Sequence, residues 1–357
     1  CSVETNTVEV SAAPEMSEMQ VLQPAQPAPG RDIDRNNAVG QVIDAQGQLG
    51  WYPHEGGLME YSVDIRFGME PNTMPTGWYF GRVSAVATDS NNDVYVFQRD
   101  NVADPIIIFD SEGTYLRSIG GDIDFVNEHG MRIDKYDNVW VTDNRNHTVM
   151  KLSNEGEVLM TLGIPGQDGV TDETFGRPAD IAFGPNDELY VADGYGNSRV
   201  VKYDSDGNFV RTWGTPGSEP GQFDLVHSIA TDSVGNVYVA DRENNRIQIF
   251  DEDGNLLRMW THLGATQNIF ITPADEVWVM THRDSVENIT YDTLAGRIMR
   301  IDIDTGEILG AMESPGHWLD VSSNGEIYIG SLTGNVFKWY EEWMEASEAA
   351  QAERRSE

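Results

Sequence analysis

The stretch GNVYVADRENNRIQIFDEDGN, residues 235–255, decides the fold. It holds two apolar runs of strand length, VYVA and IQIF, and closes on an Asp-Gly-Asn turn. Apolar alternation between such turns is the signature of antiparallel hairpins. HSIATD (227–232) precedes it and LLRMWT (256–261) follows it. Residues 227–261 therefore read as one unit of four short antiparallel strands.

The unit recurs. Its second strand carries an aromatic at Tyr95, Trp140, Tyr190, Tyr238, Trp278 and Tyr328, at intervals of roughly 40–50 residues. Its first strand recurs as SAVATD from Ser84, HGMRID from His129, ADIAFG from Ala179, HSIATD from His227, QNIFIT from Gln267 and HWLDVS from His317. Strand-rich units at this period build propellers or solenoids. Four strands repeated six times predict an all-β fold, a six-bladed β-propeller. The sixth unit has WLDVS, EIYIG and NVFKWY, then turns into EEWMEASEAAQAERRSE and lacks a fourth strand. YSVDIRFG (61–68) resembles FVRTWG, the fourth strand of the third unit. Residues 61–67 are thus expected to complete the last blade. An N-terminal strand then closes the ring and removes both sheet edges.

Around the propeller at 61–340 lie three other segments. Residues 1–37 are rich in Pro, Ala, Gln and Glu without periodic apolar residues, and read as a disordered tether. Residues 38–60 read as an irregular collar or a short hairpin. Residues 341–357 read as an acidic tail, helical or disordered.

The 357 residues carry a net charge of −36. That field repels nucleic acid and anionic lipid, which excludes both as partners. The single cysteine is Cys1, so no disulfide forms within this sequence. A Cys1-Ser2 start resembles a bacterial lipoprotein cut just before its lipid-bearing cysteine. The expected location is the bacterial cell envelope: periplasm, outer membrane or cell surface. The expected membrane contact is through a lipidated Cys1 alone, since no run of 18 apolar residues occurs. A closed propeller needs no partner subunit, so a monomer is expected.

The first position of the six windows reads Ser84, His129, Ala179, His227, Gln267, His317. Every second copy carries a histidine. In a propeller the first strand of each blade lines the central channel, and alternate blades of six stand about 120° apart. His129, His227 and His317 should therefore converge at one channel mouth. Three imidazoles with a fourth position open are the ligand set of a catalytic zinc. Iron, cobalt and manganese also suit these ligands. The loops leaving the second strands share that face. They bring Arg99, from VFQRD, and Tyr195, from VADGYGNSR. A guanidinium binds a carboxylate bidentately, so the expected substrate is a small molecule or peptide with a carboxylate. A tyrosine beside a metal and a cation suits a general base. Taken singly, Arg99 and Tyr195 read more simply as packed loop residues. His54, His262 and His282 read as ordinary surface or core histidines. Asp143, Asp193 and Asp241 recur with the repeat and read as acceptors that fix loops.

GNVYVADRENNRIQIFDEDGN and ELYVADGYGNSRVVKYDSDGN resemble the NHL repeat, which is found in six-bladed propellers. From about Val83 to Lys338 the chain resembles the lyase domain of peptidyl-α-hydroxyglycine α-amidating lyase. The segments that carry the likeness are RVSAVATD, HGMRIDKYDNVWVTD, RPADIAF, VADGYGNSRVVKYDSDG, PGQFDLVHSIA, VADRENNRIQIF and NGEIYIG. The resemblance implies one zinc on His129, His227 and His317, a catalytic Tyr195 and a substrate-binding Arg99. It implies cleavage of the C–N bond of an N-acyl α-hydroxyglycine to a primary amide and glyoxylate. It also implies backbone ligands to a structural Ca2+ at Val83 and Met131. Here Trp318 replaces the aspartate of that calcium site, which counts against the ion. The family's Met-Pro-His is replaced by Ser314-Pro315-Gly316-His317. Gly196 stands where animal members have a disulfide cysteine. No monooxygenase domain precedes the repeats in this sequence, so the hydroxylated substrate is expected from elsewhere. Two other functions fit the same residues: a different hydrolase or lyase with a three-histidine metal, acting on a small carboxylate, and a non-catalytic NHL binding module on the cell surface.

Overall fold

The computed structural model describes residues 61–64, 67–68, 74–283, 296–314 and 316–340. It also gives the backbone of Val21–Leu22, Val42–Ile43 and Leu49–Gly50. Most of the expected tether and collar and all of the acidic tail lie outside the described residues, as do His54 and the His282 side chain.

Six sheets are arranged as blades. Blade one is Val83–Thr88, Val94–Gln98, Ile106–Phe109 and Tyr115–Ile119. Blade two is Glu128–Ile133, Val139–Asp143, Thr148–Leu152 and Val158–Leu162. Blade three is Asp180–Phe183, Leu189–Asp193, Arg199–Tyr203 and Phe209–Trp213. Blade four is Val226–Thr231, Val237–Asp241, Arg246–Phe250 and Leu256–Trp260. Blade five is Ala265–Ile271, Val277–Arg283, Arg297–Ile301 and Ile308–Glu313. Blade six takes Trp318–Val321, Ile327–Ser331 and Asn335–Tyr340 from the end of the chain. Its fourth strand is Ser62–Asp64, paired antiparallel so that Val63 faces Trp339. The ring closes as expected, on a strand from the other end of the sequence.

First strands of successive blades contact one another around the whole ring, the last meeting the first. They form the channel wall. Within each blade, neighbours pair antiparallel, in sequence order except for the fourth strand of blade six. Val21–Leu22 adds in parallel to the outer strand of blade four, and Val42–Ile43 pairs with Leu49–Gly50. Among the described residues no helix is long and apolar enough to cross a membrane.

The second-strand aromatics explain the repeat. Tyr95, Tyr190, Tyr238 and Tyr328 are fully buried, with Trp140 and Trp278 nearly so. Each fills the space between blades, a burial that contributes about 2–3 kcal/mol per ring. In blades one, two and four the polar end meets the aspartate that closes the preceding window, as Tyr95 does Asp89 at 3.4 Å. Trp140 Nε1 donates to Asp134 at 2.9 Å and the Tyr238 hydroxyl to Asp232 at 3.1 Å. Asp143, Asp193 and Asp241 fix loops, as their recurrence suggests. Asp143 accepts from the backbone N–H groups of Val126 and Asn127, Asp193 from Gly176, and Asp241 from Asp224.

A candidate metal centre at one channel mouth

In four of the six windows the first residue leaves the pleat. In blades one, four and five the strand register slips by one residue there, at Ser84, His227 and Gln267. In blade two the slip spans His129 and Gly130 opposite Thr142. Such a bulge re-aims a side chain that regular alternation would send elsewhere. It turns the window's first residue into the channel.

The three histidines meet. One ligand atom from each of His129, His227 and His317 lies within 4.8 Å of the others. The rings are 5.0, 5.0 and 5.5 Å apart by centroid. All three are buried, at 2%, 0% and 6% exposure. Each Nδ1 faces a backbone carbonyl of the next blade. His129 meets Ala179 at 2.8 Å, His227 meets Gln267 at 2.6 Å and His317 meets Ser84 at 2.6 Å. A carbonyl only accepts, so each Nδ1 carries the proton and each Nε2 keeps its lone pair for a ligand. The six windows therefore divide two roles between them. Even blades supply imidazoles, and odd blades supply the carbonyls that orient them.

Burial holds the His129 imidazole well below its usual pKa, helped by the charges of His317 and Arg99. Burial and Arg242 do the same at His227. Both stay neutral at pH 7, the form that binds a metal. Three buried, backbone-oriented imidazoles can hold a metal ion, and the donor set suits zinc with a position left open.

Glycine sets the approach of the supporting backbone. A Cβ on Gly130 would lie 2.5 Å from the Ala179 carbonyl oxygen, the acceptor of His129. A Cβ on Gly194 would collide with the carbonyl of Val226, the residue before His227. Gly194 thus allows the loop that carries Tyr195 to lie against the histidine strand.

Tyr195 sits over the trio. Its hydroxyl is 3.1 Å from His129 Nε2 and 3.0 Å from His227 Nε2. Arg99, in the loop leaving the second strand of blade one, donates from Nε to the Glu128 carbonyl at 2.6 Å, next to His129. Burial, followed by the neighbouring Arg82, lowers its pKa below the usual guanidinium value. Two further cations, which the sequence reading passed over, join the site. The guanidinium carbons of Arg177 and Arg242 lie 5.2 and 5.9 Å from the Tyr195 ring centroid. Arg242 follows the second strand of blade four, the place that Arg99 holds in blade one. Applying that rule to VADRENN would have found it.

Val83, Met131 and Trp318 are fully buried in one core cluster. Arg132 stacks over the Trp318 ring at 4.9 Å and pairs with Asp180 at 2.8 Å. Gly196 donates its N–H to the Gly176 carbonyl at 2.5 Å. His262 is buried apart from the trio, its Nε2 2.9 Å from the Gly306 carbonyl. A cavity of about 700 Å³ opens at the opposite mouth, lined by Arg132, Asp134, Phe270 and Asp320 among others.

The fold is a six-bladed β-propeller, and part of it is built from NHL repeats. The NHL repeat matches residues 175–203 and 223–250. Part of the chain is similar to proteins named as amidating enzymes. It is 36% identical over 195 residues to the peptidylglycine alpha-amidating monooxygenase of Rattus norvegicus, covering 46% of this chain and 20% of that protein. A Caenorhabditis elegans protein named probable peptidyl-alpha-hydroxyglycine alpha-amidating lyase is 31% identical over 191 residues, 46% of this chain and 54% of that one. NHL repeat-containing protein 3 of Mus musculus is 35% identical over 206 residues, 52% and 58% of the two chains. The match thus spans a fifth of the rat protein and just over half of the other two. A solved streptogramin B lyase structure superposes with a TM-score of 0.54 at 14% identity, over 79% of this chain and 98% of that one. It shares the fold.

Proposed function

We propose that this protein is a zinc-dependent lyase that cleaves the C–N bond of an N-acyl α-hydroxyglycine, giving a primary amide and glyoxylate. The observation that carries the proposal is the Tyr195 hydroxyl set between the Nε2 atoms of His129 and His227. His129, His227 and His317 would hold the metal. Bound there, zinc supplies Lewis acidity that lowers the pKa of a substrate hydroxyl.

The chain's own residues do the rest. Arg99 takes the substrate carboxylate through its terminal nitrogens, its Nε being engaged by Glu128. That contact orients the carbinolamide carbon toward Tyr195. Tyr195 acts as the base that removes the hydroxyl proton. The freed electron pair forms the aldehyde C=O of glyoxylate, and the C–N pair leaves with nitrogen. Nitrogen takes that proton back from Tyr195 and becomes the primary amide. Arg177 and Arg242 put positive charge over the Tyr195 ring. Buried surroundings strengthen these interactions.

The relatives named as amidating lyases support this reading. The NHL repeats by themselves fit a second reading, a binding module without catalysis. Elemental analysis and a glyoxylate assay on one preparation separate them. The lyase reading expects about one equivalent of zinc and glyoxylate release from α-hydroxyhippurate. Metal-free, inactive protein points to the binding module. Retained metal without glyoxylate points to another hydrolase or lyase on a small carboxylate.

A further inference from the structure

Arg177 is held in an unusual way. Its φ is +68°, a left-handed conformation that costs energy for a residue with a side chain. The backbone is clamped there. Its N–H donates to His147 Nδ1 at 3.2 Å, and its carbonyl accepts from the backbone N–H of Tyr195 and from Asn144 Nδ2, each at 3.3 Å. Asn144 Oδ1 accepts from Nε at 3.1 Å, which aims the guanidinium across the Tyr195 ring.

That guanidinium has no carboxylate partner among the described residues. The contrast with the rest of the chain is sharp, because acids outnumber bases 59 to 23. Arg132, Arg199 and Arg246 each pair with a buried aspartate. Arg242, the other cation over Tyr195, is already engaged by Glu243 and Gln267. Arg177 and Arg99 are left as two cations around one tyrosine with no salt-bridged carboxylate among the described residues, although Glu128 and Asp100 act on Arg99 from farther off. A single substrate carboxylate matches one of them.

We infer that Arg177 binds a second anionic group on the acyl side of the substrate. The preferred substrates are N-acyl α-hydroxyglycines whose acyl part is itself acidic, such as a peptide with Asp or Glu before the hydroxyglycine. The reacting half of that substrate rests on the lyase reading; the second anion site rests on Arg177. Arg99 faces the carboxylate that leaves in glyoxylate, and Arg177 selects the half that leaves as the amide.

Binding of uncleavable analogues tests this without turnover. N-acetylglutamylglycine and N-acetylglutaminylglycine lack the reacting hydroxyl and differ in one charge. Calorimetric titration of the full chain at low salt should show the acidic analogue bound about tenfold more tightly, the scale of one charge-assisted hydrogen-bonded contact. Added salt should shrink the ratio. Arg177→Asn tolerates the left-handed backbone and should bring the ratio to about one. Arg177→Lys should retain part of it. A ratio of one in the unaltered protein overturns the inference, and so does no measurable binding of the acidic analogue or a ratio that survives Arg177→Asn. Glyoxylate release from α-hydroxyhippurate, measured alongside, reports on the lyase reading separately.

Discussion

His317 donates its Nδ1 proton to the carbonyl oxygen of Ser84 at 2.6 Å, across the seam where the last blade meets the first. The two residues are 233 positions apart. Ring closure and the aim of the third imidazole are therefore one contact. Phe67 packs at that seam, 5.8 Å from Phe109 of blade one and 5.3 Å from Tyr328 of blade six by ring centroid. Phe67→Ala should cost about 3 kcal/mol of stability in urea unfolding. It should also weaken metal binding in a competitive chelator titration, although Phe67 belongs to the hydrophobic cluster of blades one and six and not to the histidine trio. Full metal affinity in a destabilised variant would show that seam and site are independent.

Gly130→Ala probes the oriented imidazole from the other side. The added methyl would press on the Ala179 carbonyl, which accepts from His129 Nδ1 at 2.8 Å. Loss of such an orienting partner weakens metal binding by about 10–100-fold. Chelator titration of the variant should show that loss with all three histidines present. An affinity equal to that of the unaltered protein would mean the carbonyl does not matter.

Tyr195→Phe removes the hydroxyl that lies within 3.1 Å of two imidazole nitrogens and leaves the ring in place. Metal content should not change. Glyoxylate release should fall by about 10²–10⁴, the usual contribution of a positioned base. Unchanged turnover dismisses Tyr195 as the base.

The ring and the trio are legible in the sequence for one reason: both are periodic. Aromatics such as Tyr238 recur because every blade needs the same filler between sheets. The histidines stand out because they break that period in alternate copies. The bulge at His227 is not legible, since nothing in VHSIAT marks where the register slips. The acceptors at Ala179, Gln267 and Ser84 are backbone atoms, and no residue type announces them. Arg177 escapes because its role comes from a strained φ and from Asn144, 33 residues away. Arg242 was within reach, hidden only by its place in a repeat motif read as scaffold.

Calcium should not stabilise this propeller. Trp318 fills the core beside Val83 and Met131. Over it lies the guanidinium of Arg132, bonded to Asp180 by both Nε and Nη2. The protein thus supplies its own cation in this region. A site with a Kd near 10 μM would gain about 2.7 kcal/mol at 1 mM ion, enough to raise Tm by several degrees. Thermal unfolding with and without 1 mM CaCl2 should instead give the same Tm. A rise of several degrees would reveal a cation site after all.

Asp320 should set a pH dependence of stability. It is buried in the wall of blade six, and burial pushes its carboxyl up to about 6. Hydrogen bonds from Thr88 N and Oγ1, at 2.9 and 2.6 Å, oppose that rise, as does the charge of Arg132. Burial still wins, so the fold favours the neutral acid. A carboxyl raised in the folded state contributes stability below its unfolded pKa, near 4, and loses it as pH climbs through about 6. Asp320→Asn keeps an oxygen for Thr88 and cannot ionise. Relative to that variant, the unaltered protein should lose about 2–3 kcal/mol between pH 4 and pH 7, the order of magnitude for a buried carboxyl raised from near 4 to about 6. Urea unfolding of both proteins across that range measures the difference directly, because the large acidic background is common to the pair. A gap that stays constant with pH would mean Asp320 ionises as readily in the fold as in water, with Arg132 and Thr88 compensating its burial in full.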